Sequence, residues 1–128
     1  MQLDPIIAVK DVEASAMWYQ QIFGFRNAHG GPDFAVLKSA DNAIILCLHK
    51  WAAHSHPTLK DQNITAGNGL LLYFRSDNLK NIFQNAQRAN CNIEEDIHLN
   101  PNSLREEFSF RDPDGYFCTV TEFHQYEG

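Results

Sequence analysis

A chain of 128 residues is long enough to bury a core and short enough to be one domain. Its 44% hydrophobic and 20% charged residues exclude a disordered chain. The formal net charge of -6 argues against the basic face that nucleic acid requires, and suits a cationic ligand.

In chain order, Ile6 to Val9 is a short apolar strand. Asp11 follows as an N-cap, and Val12, Ala16, Tyr19 and Phe23 recur at helical spacing until Gly24 ends the helix. Phe34 to Lys38 and Ala43 to His49 read as strands turning at Ala40-Asp41-Asn42. Residues 50–68, with Pro57, Gly67 and a polar run, read as a loop long enough to cover a site or link two modules. The order then repeats. "GLLLYFRSDNLKNIFQNAQRANCNI" is strand, Asp77 or Asn78 as cap, a helix striped by Leu79, Phe83 and Ala86, and a break at Asn90-Cys91-Asn92. "REEFSFRDPDGYFCTVTEF" is a hairpin whose turn, Asp112-Pro113-Asp114-Gly115, uses proline to preset φ and glycine to accept a positive φ.

Val12 lines up with Leu79, and Lys38 to Asp41 with Arg111 to Asp114, so the chain holds two copies of strand-helix-strand-strand-strand. One helix covers one face of each small sheet. The expected fold is therefore α+β: two βαβββ modules, residues 1–49 and 69–128, forming a curved mixed sheet around a cleft, helices outside.

Cys47, Cys91 and Cys118 are odd in number and lack a CxxC spacing, as reduced, buried cysteines would be. No stretch approaches the ~20 apolar residues of a membrane span, and the first residues lack a signal peptide's basic start. A cytoplasmic protein without membrane or nucleic-acid partners is expected.

The segments "IIAVKDVEASAMWYQQIFGFR" and "FRDPDGY" give the chain a family likeness: it resembles the vicinal oxygen chelate superfamily of glyoxalases, bleomycin-resistance proteins and extradiol dioxygenases. The resemblance covers essentially the whole chain. It implies paired βαβββ modules and, often, a homodimer.

Metal-dependent members of that family carry His or Glu on the first and last strand of each module, with coordination sites left open for substrate. By motif these positions fall on Asp4, Leu46, Leu71 (or Leu70 if Asp77 is the cap) and Thr119. Leucine cannot ligate a metal and threonine is a poor ligand, so neither a metal nor another cofactor is expected. Elsewhere, His49, His54 and His56 lie close together, but in a loop constrained by Pro57 and without a carboxylate or cysteine pattern. GxSxG and GxGxxG motifs are absent, and Glu106-Glu107 reads as a solvated pair at a strand start.

Alternation along the strands, started from the motif positions, gives the cleft-facing set. It comprises Asp4 and Ile6; Leu46 and Leu48; Leu71, Tyr73 and Arg75; and Phe117, Thr119 and Thr121, with Trp51 at the mouth. Cys47 and Cys118 would face the helices. An apolar, aromatic cleft with a few polar handles suits a small organic molecule, cationic or aromatic. The resemblance points to metal-independent, bleomycin-resistance-like members. Two alternatives are a lyase, isomerase or dioxygenase-like enzyme with relocated ligands such as Asp4 and His49, and an interaction module whose cleft grips a protein.

Overall fold

The computed structural model describes residues 2–53, 56–64 and 69–125. The chain divides into two compact units, Met1–Ala66 and Gly67–Gly128. Each is a βαβββ module with its own four-stranded mixed sheet.

The first unit runs β1 (Ile6–Val9), α1 (Val12–Phe23), β2 (Arg26–His29), β3 (Phe34–Lys38) and β4 (Ile44–Lys50). Asp11 starts α1: its Oδ1 accepts the Ala14 N–H at 3.0 Å, satisfying a donor that the first turn leaves without a helical partner. Gly24 ends it at φ 76, donating its N–H to the Gln20 carbonyl at 2.9 Å. Substituting Asp11→Ala is expected to cost about 1 kcal/mol, read as a lowered urea midpoint at unchanged slope. The buried side of α1 is Val12, Ser15, Ala16, Tyr19 and Ile22. Ile22 takes the place expected of Phe23, whose ring instead stacks on Phe25 at 5.0 Å.

The strand order is β1-β4-β3-β2, with β1 parallel to β4 and the other pairs antiparallel. Cross-strand partners share a face, so the register sorts the side chains. Ile7, Val9, Ala35, Leu37, Leu46 and Leu48 form the buried apolar centre of the face that packs under α1. Ile6, Ala8, Phe34, Val36, Cys47 and His49 form the second face, away from the helix.

This corrects the expected cleft set. Leu46 and Leu48 lie on the α1 side, and Cys47 lies on the opposite face with Ile6, its partner on β1. The reason is a β-bulge. Lys38 pairs with Ile44 but Leu37 pairs with Leu46, so Ile45 is an extra residue in β4. Every residue beyond it is shifted by one, which exchanges faces.

The second unit repeats the plan with β5 (Leu72–Ser76), α2 (Leu79–Arg88), β6 (Asn92–Leu99), β7 (Glu106–Arg111) and β8 (Phe117–Glu122), in the order β5-β8-β7-β6. Asn78 is the N-cap of α2, and Leu79, Ile82 and Ala86 are its buried residues. Phe83 meets Phe108 edge-on at 5.0 Å, which places Phe108, Val120 and Phe74 on the helix side of the sheet. The β7–β8 turn is tied by Asp112, whose Oδ1 accepts the N–H groups of Asp114 and Tyr116 at 2.9 and 2.8 Å. Gly115 has φ 92, which its missing Cβ permits. No bulge interrupts β7–β8.

The loop after β4 is not structureless. Pro57–Leu59 forms a 3-10 turn, and the Ala52 N–H donates to the Leu59 carbonyl at 2.7 Å. The Trp51 N–H reaches the Val9 carbonyl at 3.3 Å, tying the loop's start to β1.

Candidate functional site

The second face of the β5–β8 sheet carries a continuous polar cluster framed by aromatic rings. Parallel pairing sets Tyr73 beside Thr119 and Arg75 beside Thr121. Antiparallel pairing sets Ser109 beside Thr119 and Glu107 beside Thr121. Leu72 and Phe74 take the helix side, and Leu71, half-exposed, precedes β5.

At the centre, the Ser109 and Thr119 hydroxyls bond each other at 2.9 Å, both buried. Next to them stands Glu107, which the sequence presented as solvated. It is only 8% exposed. Its Oε2 accepts from the Tyr73 hydroxyl at 2.9 Å, and its Oε1 accepts from Asn100 Nδ2 at 3.0 Å. His98 Nε2 lies 3.9 Å from Oε1 and equally 3.9 Å from Glu95 Oε2. The alternation that puts Phe108 and Phe110 in the core puts Glu107 with Ser109 on the other side. That signal was present in the sequence, but the charge pair hid it.

The arginines of this face are engaged at its rim. Arg75 donates to the His124 carbonyl at 2.6 Å and lies over the Phe123 ring at 5.2 Å. Arg111 lies over Phe117 at 4.7 Å, pairs with Glu94 at 3.0 Å and donates to the Gly115 carbonyl at 2.9 Å. A depression of about 440 Å³ opens beside this face at the start of α2, between Asn78, Lys80, Glu106, Glu122 and Phe123. Its lining mixes the carboxylates of Asp77, Glu106 and Glu122 with Lys80, Leu79 and Phe123.

In the first unit, Ile6 is 46% exposed on the second face, and Cys47 and His49 are buried there. Burial, and then the negative charge of Asp4, push the Cys47 thiol above its ordinary range. Asp4 itself is exposed and accepts from Gln2 Nε2 at 2.9 Å. His49 donates from Nδ1 to the Lys50 carbonyl at 2.7 Å, and its ring meets His56 edge-on at 4.9 Å. His54 lies outside the described residues. Trp51 is half-buried at the turn after β4.

These residues do not match the donor set of a metal centre. Allowing for the bulge, the first unit offers Asp4 and Cys47, the latter held as a neutral thiol. The second unit offers Leu71 and a Thr119 hydroxyl bonded to Ser109. Among the described residues, no three His, Cys, Asp or Glu side chains gather into a metal-binding group.

A sequence model described as the glyoxalase/bleomycin resistance protein/dioxygenase superfamily matches residues 2–119. No curated protein matches the chain. Among solved structures, the chain is similar to a glyoxalase/bleomycin resistance protein/dioxygenase family enzyme from Burkholderia phytofirmans PsJN. The identity is 20% and the TM-score 0.76, over 91% of this chain and 94% of the other. It is similar to a lactoylglutathione lyase from Agrobacterium tumefaciens at 18% identity and TM-score 0.68, over 95% and 92% of the two chains. TioX from Micromonospora sp. ML1 gives 18% identity and TM-score 0.67, over 94% and 98%. At these identities the likeness is one of fold. Among the described residues no helix is long and apolar enough to cross a membrane.

Proposed function

Because the chain belongs to the glyoxalase/bleomycin resistance protein/dioxygenase superfamily, we propose that it binds a small organic molecule on the second face of its β5–β8 sheet without a metal ion. One observation carries this reading. Thr119, which the family motif assigns to a metal-ligand position, has its hydroxyl buried against Ser109. A hydroxyl bonded in this way is a weak, neutral donor, and Leu71 offers none at all. The same face supports an organic ligand: Tyr73 and Phe117, with Phe123 at the rim against Arg75, supply apolar area, and Ser109, Thr119, Thr121 and Glu107 supply polar handles. The lactoylglutathione lyase shares the fold, but among the described residues no donor group gathers that would support metal-assisted chemistry of the glyoxalase kind.

The test is elemental analysis of the purified protein, with thermal melts in chelator and in added zinc, nickel or manganese. Less than stoichiometric metal and an unchanged melting temperature are expected. A site filled to a hundred times its Kd stabilises by about 2.7 kcal/mol, so a real metal centre announces itself as a clear fall in chelator. One tightly held ion per chain sinks the proposal.

A further inference from the structure

We propose that Glu107 is the anionic anchor of this face, and that its ligand carries a cationic N–H group, an alkylammonium or amidinium, on an aromatic or apolar body. The inference rests on the small-molecule reading above and names the class of ligand.

Glu107 is a nearly buried carboxylate whose hydrogen-bond partners are both neutral: the Tyr73 hydroxyl on one oxygen and the Asn100 amide on the other. A carboxylate offers about four acceptor positions, so about half its capacity remains. Among the described residues no lysine or arginine nitrogen lies within ion-pairing distance of it. The nearest group able to carry positive charge is His98, whose Nε2 at 3.9 Å is too far for a hydrogen bond and equally close to Glu95. Removing a carboxylate from water without a cation is costly, and a ligand ammonium supplies both the missing charge and the missing donors.

The surroundings hold the carboxylate in place. The Asn100 side-chain oxygen accepts the N–H groups of Asn102 and Ser103 at 2.8 and 3.4 Å, which fixes the amide and turns its NH2 toward Glu107. Tyr73 is oriented by its own bond to Glu107 while the residue stays 36% exposed, in position to stack on a ligand body or meet a cation. A metal ion is a poorer fit, because both neighbours direct hydrogens, not lone pairs, at the carboxylate.

Three matched probes test this by amide chemical-shift titration of the labelled protein: phenethylamine, phenethyl alcohol and hydrocinnamate. The amine is expected to bind about tenfold or more tighter than the alcohol, the value of one charge-assisted hydrogen bond. It should shift the amides of Ser109 and Thr121. In Glu107→Gln the amine should fall to the affinity of the alcohol, while Tyr73→Phe, which keeps the carboxylate, should retain the preference. Equal affinity of amine and alcohol, or amine shifts confined to other residues of the wild-type protein, overturns the anchor and leaves the small-molecule reading standing. The wild-type shift map decides this even if Glu107→Gln fails to fold. If none of the three probes binds, and a wider fragment set of all three charge classes also gives no hits, the small-molecule reading falls and takes the anchor with it.

Discussion

Replacing Leu46 by glutamate is expected to unfold the first unit rather than give it a metal donor. Aligned from the Lys38–Asp41 and Arg111–Asp114 turns onward, the two repeats set Leu46 against Thr119, the position to which the family motif assigns a metal ligand. Leu46→Glu then looks like a restoration. The register says otherwise. Leu46 pairs with Leu37 and is 1% exposed among Ile7, Ala35 and Leu48 beneath α1. A glutamate there loses the packing of a leucine and buries a charge among apolar side chains. Such changes cost several kcal/mol, against a total stability of about 5–15 kcal/mol for a domain. Cys47 is the structural counterpart of Thr119, because Ile6 stands beside Cys47 as Tyr73 stands beside Thr119. Cys47→Ser is therefore expected to keep the fold. Circular dichroism and amide dispersion compare the two variants. A Leu46→Glu protein with native dispersion throughout the first unit would show that the β4 register is wrong.

Phe108→Ala carries the second large effect, on the other unit. The Phe108 side chain is fully buried, meeting Phe83 of α2 edge-on at 5.0 Å and stacking on Phe110 at 5.1 Å. It is a principal link between helix and sheet, so truncation leaves a cavity that α2 fills only by tilting. The expected loss is about 3–5 kcal/mol. Phe123, half-exposed beyond the end of β8 beneath the Arg75 guanidinium, serves as comparison: Phe123→Ala should cost about 1 kcal/mol, well below Phe108→Ala. Hydrogen exchange of the β7 and β8 amides under native conditions reads the unit directly. A loss below about 1 kcal/mol for Phe108→Ala would mean that α2 does not depend on this contact.

Both predictions depend on knowing which face of a strand a residue occupies, and here the sequence was only partly legible. Local chemistry was read directly. Asp11 and Gly24 delimit α1 because a side-chain acceptor and a residue tolerant of positive φ are needed at those points wherever the helix packs. Asp112 to Gly115 form the expected turn for the same kind of local reason. The repeat was legible because each copy contains every signal of its own elements. For β5, alternation left two registers open, and Asn78 as the N-cap of α2 with uninterrupted pairing to β8 selects the one that sets Tyr73 beside Thr119 and Arg75 beside Thr121.

By itself, then, the sequence determined the two βαβββ modules, their helix ends and turns, and the chain's kinship with its family. The tertiary structure alone decided the rest. A single extra residue, Ile45, exchanges the faces of β4. It carries no composition signal because a bulge exists only relative to a partner strand. The burial of Glu107 likewise depends on groups that arrive from elsewhere: Tyr73 through the parallel β5–β8 pairing, and Asn100 through the turn after β6. Next to Glu106, in sequence, Glu107 is one of two surface charges. Within the sheet it is a carboxylate enclosed by neutral donors, because burial and charge balance are set by non-local neighbours.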